Sequence, residues 1–195
     1  MPEAAAGPES PETSRLNTVV AALVALLATI MAVGNIKDGN IVQAMQQAQS
    51  NRVDAWSFYQ AKSTKGHLAE SIRDQLQLQQ ELNPGANPEA RALLDKKIAF
   101  YQAQVAKYEK EKAEIQRQAK GYEEEYDRLN VHDDQFDMAE AGLNVAIALL
   151  GISALTRRWW LVWIAVAFAG FGVLMDAAGF FGWALHPNMV AKWLS

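Results

Sequence analysis

The residues best suited to chemistry fall into three groups. His132, Asp133, Asp134 and Asp137 lie close together. Asp133 and Asp137 share a helix face, with His132 adjacent, so a divalent cation is conceivable. A real site needs more converging ligands, and an acidic, solvated, membrane-proximal segment is the better reading. Asp176 sits inside an otherwise apolar stretch, where an ionisable group costs several kcal/mol unless paired or hydrated. Glu140, Asn144, Asn35 and Lys37 fall at comparable depth on neighbouring apolar stretches. The expectation is a Lys37–Asp176 or Lys37–Glu140 ion pair, and the sharper alternative is an ion or proton path. The third group is Trp56, Phe58, Tyr59, Gln60, Lys62, Ser63 and Lys65. It reads either as a binding strip or as helix-seam packing beside a solvated basic face. In both cases Trp56, Tyr59 and Ser63 line the seam, and Phe58, Lys62 and Lys65 point outward.

None of these groups makes an enzyme. There is no paired-carboxylate, Ser/His or glycine-rich phosphate-binding arrangement in a plausible context. The 195 residues carry a net charge of −4, which argues against a phosphate-binding surface and a nucleic-acid partner. The chain has no cysteine, so disulfides, thiolate metal sites and cysteine nucleophiles are excluded. No cofactor, metal or small-molecule ligand is indicated.

The elements that carry these residues are separated by hydropathy. Half of the chain is apolar, and that half is concentrated near the two ends. Residues 1–15, with Pro2, Pro8, Pro11 and Gly7, read as a disordered tail. Residues 16–36 form an apolar run close to the roughly 20 residues that cross a bilayer as helix. An acidic preceding segment and the lack of a good cleavage site favour an uncleaved anchor over a signal peptide. Residues 138–155 and 159–185 are two further spans around the basic turn Thr156-Arg157-Arg158. Trp159, Trp160 and Trp163 at one end, and Trp183 and Trp193 at the other, form an interfacial belt. Residues 186–195 are a C-terminal tail. Small residues pair at helical spacing in each span, as in Ala28/Ala32, Gly142/Ala146, Ala165/Ala169 and Ala178/Gly182, and permit close packing.

Residues 38–137 read as a polar helical hairpin with its turn at 83–88. Pro84 ends the first arm; Asn87 caps the second, with Pro88 at its first position and Glu89 favouring the positive dipole end. Leu94, Ile98, Tyr101, Val105, Tyr108, Lys112, Ile115, Ala119, Tyr122, Tyr126 and Leu129 alternate steps of four and three, the mark of a left-handed coiled-coil seam. Val42, Met45, Gln49, Arg52, Trp56, Tyr59, Ser63 and Gly66 keep the same spacing on the first arm. Folding about the turn sets Leu76 against Leu94, Ile72 against Ile98, Gly66 against Val105, Ser63 against Tyr108, and Trp56 against Ile115. Arms of this length extend roughly 65–75 Å. Tyrosines on the seam suggest that a neighbouring subunit completes it.

The fold class is therefore an all-α membrane protein: three transmembrane helices with a long antiparallel, coiled-coil-like hairpin between the first and second. Arg157 and Arg158 lie in the shortest loop, so the positive-inside rule puts that loop and the N-terminus in the cytoplasm. The hairpin then lies in the periplasm. The block Asp54-Ala55-Trp56 with Gln60-Ala61-Lys62-Ser63, and the later Tyr108–Ile115 run, resemble the DUF4337 family. Members share an Asp-x-Trp-x-x-x-Gln-Ala-Lys-Ser core after an N-terminal span, a Lys/Glu-rich helical stretch, and two hydrophobic segments around a basic turn. The resemblance covers nearly the whole chain after about Asn17. It implies a bacterial membrane protein and carries over no active site. Two functions fit. One is a non-enzymatic homo-oligomeric scaffold in the inner membrane, with contact through Trp56, Phe58, Tyr59, Tyr101, Tyr108, Tyr122 and Tyr126. The other is a channel- or transport-type oligomer with Asp176 near the path. The lipid bilayer and copies of the chain itself are the expected partners.

Overall fold

The computed structural model describes residues 11–85, 87–183 and 185. All of its regular structure is helical, in the order α1 (Pro11–Leu82), α2 (Pro88–Thr156) and α3 (Trp159–Phe181). Each helix contains a stretch long and apolar enough to cross a membrane, as a multi-pass protein requires. Two boundaries differ from the sequence expectation. Helix α1 begins at Pro11, so Pro11–Arg15 are helical rather than part of a disordered tail; residues 1–10 lie outside the described residues. Proline at the first helical position and Glu12 in the first turn favour that start. Helix α3 stops at Phe181, where Gly182 takes a left-handed conformation (φ 67°) and the Trp183 N–H donates to the Ala178 carbonyl at 2.9 Å. The expected C-terminal tail, 186–195 with Trp193, lies outside the described residues. Neither long helix breaks where polar sequence gives way to apolar.

The chain divides into two compact units. The first holds residues up to Ala44 and from Arg128 onward. Its core joins all three helices: Leu16, Val20 and Leu27 from α1, Leu143, Ala146 and Leu150 from α2, and Val162 and Ala165 from α3. Small residues let backbones approach. A Cβ on Gly142 would meet the Phe168 carbonyl oxygen at 3.2 Å and the Gly172 Cα at 3.3 Å, and one on Gly172 would meet the Ala139 carbonyl oxygen at 3.0 Å. Gly142, Ala146, Ala165 and Ala178 are buried, whereas Ala28, Ala32 and Gly182 are exposed. Close packing therefore runs through α2 and α3 more than through α1. The link between them is tight: Arg157 adopts φ 56°, and the fully buried Ser153 hydroxyl donates to the Arg158 carbonyl at 2.9 Å.

The second unit, Met45–Asp127, is the hairpin. At its turn the Asn87 side chain accepts from the Ala90 N–H at 2.7 Å, the expected N-cap, and Arg91 reaches back to the Pro84 carbonyl. The α2 seam is as the heptad specifies: within this unit its positions are half-buried or buried from Leu94 to Tyr126. The α1 seam differs on alternate positions. Met45, Arg52, Tyr59 and Gly66 lie on it as expected, but Ala48, Ala55 and Ala69 are the buried residues beside them. Gln49, Trp56 and Ser63, one position later, sit on the flank. The register is displaced by three residues, since Gly66 meets Tyr108 rather than Val105. The physical reason is volume. Alanine and glycine fit between helices whose other wall is tyrosine, and Trp56 against Ile115 would force the helices apart.

Candidate functional site

Within the hairpin, cations lie over seam tyrosines. Lys62 stands 5.8 Å from the Tyr108 ring centre and 2.7 Å from a Glu111 carboxylate oxygen. It therefore belongs to the seam rather than pointing outward, because its long stem can snorkel across Gly66 and Ala69. Its hydrogen bond, then its charge with those of Lys107 and Lys65, holds the Glu111 carboxyl below its ordinary range. Lys112 lies 5.7 Å from the Tyr59 ring centre and pairs with Glu109 at 2.9 Å, which raises its ammonium pKa. Arg52 covers Tyr126 at 5.9 Å. Trp56 meets Tyr59 edge to face at 5.4 Å. Tyr59, Tyr101, Tyr108, Tyr122 and Tyr126 are all half-buried on the seam. Phe58 does point outward, with 63% of its surface exposed, and Leu68 and Phe100 are similarly open at 61% and 56%.

Within the other unit, the polar residues form two places. At one, the carboxyls of Asp38 on α1 and Asp133 on α2 lie close enough to act on one another's titration. Asp38 Oδ1 is buried, and no amide, hydroxyl or cationic donor reaches it among the described residues. Burial first, then the carboxylates of Asp137, Asp38 and Asp134, push Asp133 up to about 6. Burial likewise raises Asp38 and Asp137. Among the described residues no three histidine, aspartate or glutamate side chains are arranged to hold a metal ion. His132 turns instead to Gln135, with Nδ1 3.1 Å from its Oε1.

Gln135 is fully buried, and its Nε2 donates to the carbonyls of Trp183 at 2.9 Å and Leu185 at 2.6 Å. It tethers the chain beyond α3 to α2. Beside it Phe136 meets Phe180 edge to face and fills the space a Cβ would take at Gly179. Sequence pattern does not single out Gln135, because one glutamine among many carries no periodic signal.

At the second place, Asp176 lies against Gly34 of α1, so that a methyl group there would collide with its Oδ1. The expected ion pairs are not formed: among the described residues Lys37 makes no salt bridge with Asp176 or Glu140. Gly34 lets the carboxyl approach the α1 backbone directly. Glu140, Asn144 and Asn35 are exposed on the helix surfaces.

The family model of a domain of unknown function, DUF4337, matches residues 16–182. The chain belongs to the DUF4337 family. The match takes in all three helices, including the Trp56–Lys65 block and the Asp38–Asp133 contact. No curated protein and no solved structure matches this DUF4337 chain.

Proposed function

We propose that this DUF4337 protein is a non-enzymatic, homo-oligomeric scaffold of the bacterial inner membrane. Its hairpin is the contact surface. The N-terminus lies in the cytoplasm and the hairpin in the periplasm, as Arg157 and Arg158 in the shortest loop favour. The supporting observation is apolar surface where no lipid accounts for it: Phe58, Leu68 and Phe100 are exposed in the hairpin, as are Val53, Leu78, Leu82 and Leu93. Leu68 and Phe100 line one open groove, and exposed apolar patches mark protein contacts. The seam tyrosines serve as its inner support, since Tyr108 packs on Gly66 and under Lys62. Replacing both Phe58 and Phe100 by Glu tests the reading. The mass in mild detergent falls to that of the monomer, with helicity unchanged. An unchanged oligomer places assembly in the spans, and a monomeric wild type removes the proposal. Topology is checked with a cysteine at Gly85, unique in this chain. A membrane-impermeant thiol reagent labels it from the periplasm.

A second reading has one observation in its favour. Asp176 brings a carboxyl into an apolar helix and against the α1 backbone, and ionisable groups within spans often mark an ion path. In that case Asp176→Asn abolishes a proton or cation flux measurable in liposomes, whereas the scaffold predicts no flux.

A further inference from the structure

The two flanks of the hairpin differ in chemistry. On one, Lys65, Leu68, Ile72, Phe100, Tyr101 and Gln104 line an open groove of about 420 Å³. Phe58 lies one heptad before Lys65 on this flank, and Lys97 one heptad before Gln104. Lys65 is near enough to Glu111 to help lower its pKa, which fixes both on this side. On the other flank lie Glu70, Asp74, Asp95 and Glu109. Glu70 and Glu109 both act on Lys112, and Arg73 pairs with Glu70 at 3.4 Å and with Asp74 at 2.6 Å, which places these three acids together; Asp95 lies nearer the turn and accepts from Gln80 at 2.7 Å. Ala92, Ala99 and Ala106 recur at heptad spacing toward this flank, Ala92 and Ala106 three residues before Asp95 and Glu109, and all are exposed; Ala106 also borders the outer groove that Lys107, Lys110 and Glu111 line.

We infer that copies of the hairpin pack side by side in a heterologous manner, the apolar, lysine-bearing flank of one on the acidic, alanine-faced flank of the next. This rests on the self-association proposed above and specifies its mode. Copies anchored in one bilayer through the same spans rise in the same sense. A two-fold contact between such copies sets each flank against itself, with Lys65 facing Lys65 and Lys97 facing Lys97 at one level. Like charges at such a contact are unfavourable. Heterologous packing does the opposite. By the observed register, in which Gly66 meets Tyr108, Lys65 stands at the level of Glu109. Lys97 and Asp95, two residues apart on α2, stand within about 3 Å of one level. Small alanines on the acidic flank leave room for Leu68 and Phe100 to insert. A contact of this kind closes into a ring or continues as an open row.

The test uses the full-length chain, whose lack of cysteine makes each introduced thiol unique. Leu68→Cys carries a thiol on the apolar flank and Ala106→Cys one at the same level on the acidic flank. Each variant is expressed alone and both together with different tags, and membranes are oxidised mildly. The expected result is no dimer from either variant alone, a mixed-tag dimer from the pair, and a ladder of higher species when one chain carries both thiols. Dimerisation of Leu68→Cys alone overturns the heterologous mode while leaving self-association standing. No cross-link in a protein that is oligomeric in mild detergent also overturns it. A monomeric wild type fails at the earlier step and removes both.

Discussion

Asp133→Asn offers the most direct probe of the Asp38–Asp133 contact. The carboxyl of Asp133 is raised from 3.8 to about 6, first by burial and then by Asp137, Asp38 and Asp134. The carboxylates that act on it are Asp38 on α1 and Asp134 and Asp137 on α2, and Glu140 acts in turn on Asp38 and Asp137. The only titratable side chain α3 carries is Asp176. An acid whose folded pKa lies above its unfolded value holds a proton that the unfolded chain releases. Its effect is absent below pH ~4 and grows as pH rises through ~6, so stability falls on going from pH 5 to pH 8. A shift of this size corresponds to about 3 kcal/mol unscreened. Partial exposure of the site reduces that to about 1 kcal/mol. The amide introduced by the substitution has a permanent N–H donor for the Asp38 carboxylate and no charge to desolvate. The variant is therefore more stable than wild type by about 1 kcal/mol at pH 8 and by about half of that at pH 5, and equal to it only near pH ~4. Denaturant unfolding in mild detergent at intervals between those pH values measures both. A wild-type stability that rises toward pH 8 would refute the raised Asp133 carboxyl, as would an Asp133→Asn variant that keeps the full slope.

Three further outcomes follow from packing. Gln135→Ala leaves the Trp183 and Leu185 carbonyls without their donor and opens a cavity; thermal unfolding should show a loss of about 2–4 kcal/mol, with a red shift of Trp emission. Gly34→Ala collides with Asp176 and costs about 1–3 kcal/mol, and the cost shrinks in an Asp176→Ala background; equal cost in both backgrounds would mean the two residues do not touch. Arg157→Gly relieves a left-handed backbone at φ 56° and raises stability by about 1 kcal/mol in the same unfolding assay.

What the sequence made legible is what repeats. The heptad of α2 carries tyrosines and branched apolar residues at regular steps, and the half-buried positions follow it. The partner seam was only half legible. Two tracks one residue apart, Ala48–Ala55 and Gln49–Trp56, keep the same spacing, and hydrophobicity alone favours tryptophan. The choice depends on the volume left by the facing tyrosines, which is a property of the pair of helices. Register has the same dependence, which is why the Pro84-Gly85 turn placed the arms three residues out. The contacts through Gln135, Ser153 and Gly34 were illegible for another reason. Each joins residues far apart in the chain or across a turn through a backbone group, and backbone groups leave no mark in the residue types. The Asp38–Asp133 contact was hidden because only their meeting makes the pair unusual; separately, each is an ordinary acidic residue beside a span.

The hairpin seam poses a stability problem that bears on assembly. Its buried apolar residues are mainly alanines with Met45, while the branched side chains nearer the turn stay half-exposed. Burial scales with apolar area, so such a seam stabilises the pair far less than a leucine seam of equal length. Cations over Tyr59, Tyr108 and Tyr126 contribute about 0.5–1 kcal/mol each at such partly exposed positions. Two features offset this weakness. Both arms are uninterrupted continuations of helices whose other portions lie in the packed three-helix core, so nucleation occurs there and the arms need only propagate. The arms would still fray toward the turn, where Leu78, Leu82 and Leu93 are exposed. Lateral packing of Leu68 and Phe100 onto another copy would add burial in the turn-side part of the arms, where the intrinsic seam is weakest, and Phe58 would add it nearer the core. The Phe58→Glu, Phe100→Glu variant should therefore lose amide-exchange protection progressively from the core-side part of the arms to the turn. Uniform protection along the arms in that variant would show that the hairpin stands by itself and needs no neighbour.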